Sequence, residues 1–136
     1  MKKYTIDEIS TMLEEIQLLS EVDIDGDSMT HIVEHGKILS NKLAVTSKLL
    51  ADAKYNLREF QNTEIMKMLK DQTSQLMYAD AQRKYLESVC RDILYVVDWA
   101  ERLNAACTHQ LDFMRSLLSK EKERMALERQ NNFRNT

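Results

Sequence analysis

The chain has no proline and only two glycines, Gly26 and Gly36, in 136 residues. Folds made of many short strands need turn residues at regular intervals, so this scarcity excludes a sandwich or barrel and points to helices. No apolar run approaches the roughly 20 residues that cross a bilayer as a helix, and no signal-peptide pattern is visible, so no membrane partner is expected. The two cysteines, Cys90 and Cys107, are expected on one helix about 25 Å apart, too far to pair. Free apolar thiols suit a reducing compartment, and the expected location is the cytoplasm. Aromatic residues are few, and Tyr55, Tyr78, Tyr85, Tyr95 and Trp99 form no stacking platform of the kind that binds single strands. Glycine-rich phosphate loops are missing, and His109 has no nucleophile constellation around it. No catalytic residues and no cofactor are expected.

What the chain has in quantity is Leu, Met, Ala, Lys, Glu, Gln and Arg, all good helix formers. Its length is one domain's worth and enough for a core. The net charge of −3 argues against non-specific adhesion to nucleic acid by the chain as a whole. The average conceals an asymmetry. Up to Asp27 the acids are Asp7, Glu8, Glu14, Glu15, Glu21, Asp23, Asp25 and Asp27, against Lys2 and Lys3. From Arg115 onward Lys120, Lys122, Arg124, Arg129 and Arg134 outweigh Glu121, Glu123 and Glu128. Solvated helix faces explain both ends. The sharper reading is a basic arm, with Lys120, Lys122, Arg124 and Arg129 reaching for phosphates or an acidic partner. The interleaved Glu residues weaken that field, so nucleic-acid binding is expected to be weak or absent.

Thr5 and Glu8 form a capping-box pattern, with Tyr4 and Ile9 placed to staple across it. Ile9, Met12, Leu13, Ile16 and Leu19 follow at helical spacing, which predicts a first helix over about 6–22. A second helix is predicted over about 29–62, where Ile32, Gly36, Leu39, Leu43, Thr46, Leu50, Ala53, Leu57 and Phe60 form a heptad seam. The polar patches "QNTE" at 61–64 and "DQTSQ" at 71–75 offer two places for a break. A third helix is predicted over about 75–127, with the seam Leu86, Cys90, Ile93, Val97, Ala100, Asn104, Cys107, Leu111, Met114 and Leu118. Beside that seam runs a second row, Val89, Val96, Leu103 and Leu117. A stripe this wide needs at least two neighbours. The expected architecture is all-α: a single domain, 1–136, built as a long antiparallel helical hairpin, coiled-coil-like, with a short N-terminal helix. The second row is expected to be the interface of a homodimer or higher oligomer. Asn104, polar within an apolar seam, either fixes register or is exposed. The tail at 128–136 is expected to fray.

The stretch "DIDGDSMTHIVEH" admits two metal readings. Asp23, Asp25, Asp27 and Glu34 fall at positions 1, 3, 5 and 12 of an EF-hand loop, with Leu19 and Val22 suited to the entering helix. Against calcium, position 6 is Ser28 where the loop turns on Gly, position 8 is Thr30, and the chain has no sister loop. His31, Glu34 and His35 spell H-x-x-E-H, the pattern of a zinc peptidase, but the mixed sheet that carries such a site is missing. The simpler reading is a turn whose Asp residues cap the next helix, with His31 and His35 on the helix surface. A chance metal site from His31 and His35, with or without Asp27, is the residual alternative.

The segments "GKILSNKLAVTSKLLADAKYNL" and "ERLNAACTHQLDFMRSLLSKEKER" resemble a class of small all-helical phage proteins. The resemblance rests on the "LADAKY" segment of the first long helix and the "FMRSLLS" element of the second, and spans roughly residues 30–125. The "DIDGDS" turn is not a feature of that class. The resemblance implies a gene neighbourhood of phage replication and recombination, host cytoplasm as the location, and no particular reaction. The expected function is a non-enzymatic helical interaction protein of a phage or mobile element, accessory to DNA replication or recombination through a larger protein partner. The alternatives are an inhibitor of a host defence or nucleic-acid enzyme, and a calcium- or metal-responsive helical module.

Overall fold

The computed structural model describes residues 2–21, 28–71 and 77–135. Over these residues the chain forms four helices: α1 (Ile6–Ser20), α2 (Met29–Lys70), α3 (Ala79–Val89) and α4 (Arg91–Arg134). The expected all-α hairpin is present. α2 and α4 run antiparallel along each other, with Lys54 ion-paired to Glu101 at 3.3 Å and Asn104 bonded to Thr46. Further along, Gly36 lies against Met114. α1 sits against both long helices. Its start is tied to Asp52 and Asn56 of α2 and its end to Gln110 of α4, so it runs in the same direction as α4.

Local chemistry explains where α1 starts and which face it buries. The Glu8 amide donates to Thr5 Oγ1, and the Thr5 amide donates back to Glu8 Oε2, both at 3.3 Å. Two of the orphan amides of the first turn are thereby satisfied. Ile9, Leu13 and Ile16 recur at helical spacing and are buried. They join Ile32, Leu39, Leu49, Ala53, Val96, Val97, Ala100, Leu103, Cys107 and Met114 in one core. α1 ends at Ser20, with Glu21 as its cap, two residues short of the expected limit.

Three further features differ from the expected ones. α2 continues through "QNTE" to Lys70, and two of the polar residues there are engaged within the helix. Thr63 Oγ1 donates to the Glu59 carbonyl one turn back, and Glu64 lies buried with its carboxylate 3.3 Å from Lys67 Nζ. The second polar patch marks the end, with Asp71 as the cap. The third predicted helix is interrupted at one residue, Cys90, whose backbone leaves helical geometry at φ −92°, ψ 1°. The hydrogen-bond ladder passes across it, since the Cys90 amide donates to Leu86 and the Leu94 amide to Cys90. The tail expected to fray is helical to Arg134. Arg124 bridges Glu121 and Glu128 on successive turns there, and such pairs support a helix without any apolar face.

Candidate interaction surfaces

The row expected to face a second subunit is divided by α1. Val96 and Leu103 are buried within the single chain. Trp99 Nε1 donates to Gln17 Oε1, and Gln110 Nε2 donates to the Ser20 carbonyl, so α1 lies over this part of α4. This corrects their assignment to a subunit interface. The reason is one of length. Val89 to Leu117 covers about 42 Å of helix, whereas α1 covers about 22 Å, and it takes the middle of the row. Val89 and Leu117, at the two ends, stay half-buried, and Leu117 packs on the core.

The metal-motif residues are distributed as follows. Asp23, Asp25 and Asp27 lie outside the described residues. Ser28, rather than an Asp, caps α2, its Oγ accepting from the His31 amide at 3.2 Å. Met29, whose carbonyl the calcium reading requires at loop position 7, is the first residue of α2. Glu34 is exposed. His31 and His35 stand with ring centroids 6.4 Å apart, edge to face. His35 is not a surface residue: it is buried, and its Nε2 has no hydrogen-bond partner among the described residues. Burial, and then the neighbouring His31, hold its pKa below the usual imidazole value. Among the described residues no group of three or more His, Cys, Asp or Glu side chains is placed to share a metal ion.

One polar cluster had no motif to announce it. Asp52 is buried on α2, where its Oδ2 accepts from the Tyr4 amide at 3.0 Å and from Lys48 Nζ at 2.6 Å. Asn56 Nδ2 donates to the Tyr4 carbonyl at 2.9 Å. Lys48 and Lys3 lie over the rings of Tyr4 and Tyr55. Burial pushes the Asp52 carboxyl up, but the bonds from Lys48 and Tyr4 and the charges of Lys48 and Lys3 outweigh it, so its pKa falls below the usual range. The cluster straps the segment before α1 onto α2. The only sequence signal was an Asp and an Asn four apart on one helix face. Asn104 holds the two long helices in register by donating to Thr46 Oγ1 and Ser47 Oγ, both at 2.9 Å.

The two ends of the hairpin extend past the three-helix body. At one end α2 runs on from Asn56 to Lys70 and meets α3, none of whose residues is buried. An open cleft of about 290 Å³ lies there, lined by Ile65, Met68, Leu69, Ala79, Gln82 and Leu86 among others. At the other end α4 continues beyond Glu121, and every described residue from 122 to 135 is exposed. Leu127 and Phe133 are 60% and 87% exposed there. Arg124 is engaged with Glu121 and Glu128, whereas Lys120, Lys122, Arg129 and Arg134 are exposed. Both cysteines are fully buried, and burial raises both thiol pKa values, for Cys90 with help from Glu64. Among the described residues no helix is long and apolar enough to cross a membrane. No family model, curated protein or solved structure matches this chain.

Proposed function

We propose that the chain is a non-enzymatic helical interaction protein, accessory to DNA replication or recombination in a phage or related mobile element. The setting is drawn from the resemblance of residues 30–125 to small all-helical phage proteins. The mode of action is drawn from one observation: α4 projects past the body as a helix with no buried residue beyond Glu121. A helix of about 13 residues is marginal in water on its own. Here it grows from an already folded helix, so it offers a preformed element for docking. It carries exposed Leu127 and Phe133 beside Arg129 and Arg134. This chemistry fits a larger protein whose groove has an apolar floor and an acidic rim.

The test is affinity capture from the native or infected cell, followed by a binding isotherm with the purified captured protein. The full chain is compared with a Leu127→Asp/Phe133→Asp double variant. A replication or recombination protein that binds the wild-type chain and loses at least tenfold in affinity with the variant supports the reading. A second reading is favoured by a specific feature, the run from Tyr4 to Gly36, which contains no Lys or Arg. Asp7, Glu14, Glu15 and Glu21 are exposed on its described part. An acidic face of this kind suits competition for a basic groove on a host enzyme. Capture of such an enzyme, lost with Glu14→Lys/Glu15→Lys and kept with the C-terminal variant, would replace the first reading.

A further inference from the structure

We infer that the α2–α3 end of the hairpin is a self-association surface, where a second copy of this chain packs by two-fold symmetry to complete a four-helix bundle. The first support is the change in thickness along the molecule. α1 makes the body three helices thick, and it begins beside Asp52 and Asn56. From there to Lys70, about 21 Å of helix, two layers of helix pack without a third among the described residues. A single seam covers only a narrow stripe of each. The remaining apolar surface is open: Ile65 and Leu69 from α2 and Leu86 from α3 line the cleft, with Met66, Tyr78 and Tyr85 exposed nearby.

Charge decides which of the exposed surfaces can meet its own copy. Between Gln61 and Val89 the chain carries four acids, Glu64, Asp71, Asp80 and Glu87, and four bases, Lys67, Lys70, Arg83 and Lys84. Several are already matched at home, with Glu64 on Lys67 and Asp80 on Arg83 and Lys84. A surface of balanced charge meets its own copy without net repulsion, which an isologous contact requires. The acidic face of α1 and the basic projection of α4 would each repel their own copies. Size sets the strength. Two helices about 10 Å wide over about 21 Å give a footprint of roughly 400 Å² per copy. The total of about 800 Å² is below that of stable interfaces, so the contact is a weak, reversible one, with association expected only at roughly tens to hundreds of micromolar.

Sedimentation equilibrium on the full chain across the micromolar range provides the test. Wild type is expected to shift with concentration from 16.0 kDa toward twice that mass. Leu69→Asp and Ile65→Asp should each stay at the monomer mass with unchanged helical circular dichroism, while Leu127→Asp/Phe133→Asp should dimerise like wild type. Leu69→Cys, an exposed position lining the cleft, gives a second reading by forming a disulfide-linked dimer under mild oxidation, with the buried Cys90 and Cys107 unreacted. A wild-type monomer at all concentrations overturns the inference. So does a dimer that survives both cleft substitutions, or one that is lost only with the C-terminal variant. A monomer whose cleft variants lose a captured foreign protein would assign the surface to that protein instead.

Discussion

At the scale of single residues, two positions in α2 show how a helix interior can be suboptimal in opposite ways. Gly36 lies in mid-helix, where glycine costs backbone entropy. A methyl group there would meet Met114 Sδ at 3.6 Å, an ordinary contact. Gly36→Ala should therefore stabilise the fold by about 0.5–1 kcal/mol, seen as a higher urea midpoint with unchanged slope. A lower midpoint would mean that Met114 cannot accept the methyl. His35 is the reverse case, a polar ring whose burial favours its neutral form. Its pKa in the folded chain lies below the unfolded value near 6.5, so the unfolded state binds more protons in the interval between them. Its contribution is fully present above pH 6.5 and is lost as pH falls through the folded value. Melting temperature should drop as pH falls from 7 toward 5, and His35→Leu should remove that part of the drop. An identical pH profile in the variant would show that other groups cause it. Asp52 acts in a different window, since its lowered pKa gives stability that persists until pH falls below the ordinary carboxylate range.

At the scale of elements, the docking of α1 separates what could be read in advance from what could not. Val96→Glu places a carboxylate at a buried position of α4 one turn before Trp99, which bonds α1, and the expected outcome is undocking of α1 at a cost on the order of 3 kcal/mol. Asp52→Ala should weaken the same docking by about 1–3 kcal/mol, because it leaves the Tyr4 amide and Lys48 without their shared acceptor. Proteolysis of the segment before α2, monitored against wild type, checks both. Unchanged cleavage rates would remove the case for the strap. The capping box of α1 and the seams of both long helices were legible because they depend on local spacing, which survives in any tertiary context. The covered row was not legible. Val89, Val96, Leu103 and Leu117 look alike in a heptad, and only the length and position of α1 decide which are covered within the chain. The end of α2 was misplaced for a related reason. "QNTE" is polar, but Thr63 bonds within the helix and Glu64 pairs with Lys67, so polarity alone did not mark a break. The Asp52 strap left almost no trace in sequence, since its partner is a backbone amide 48 residues away.

At the scale of the whole molecule, the uneven thickness should appear as uneven stability. The buried side chains of α1 all lie between Ile9 and Ile16, those of α2 run mostly from Ile32 to Ala53, and those of α4 run from Val96 to Met114. α3 buries none, and α4 buries none beyond Met114. Local opening costs little where few apolar groups are covered, and cooperative units follow the packed regions. Native-state hydrogen exchange at a concentration where the chain is monomeric should therefore give its highest protection to amides in 9–16, 36–53 and 96–114. Amides in 61–70, 79–89 and 122–134 should exchange with much lower protection, although all of them are helical. The free energy of opening is expected to be near the global value in the first group and a few kcal/mol lower in the second. Raising the concentration separates the two ends. If the α2–α3 end pairs with its own copy, protection should rise in 61–70 and 79–89 and stay low in 122–134, because a surface covered by a partner no longer opens without releasing it. Uniform protection along α2 and α4 at low concentration would show that the long hairpin opens as one unit, and that α1 does not set the limits of the stable body.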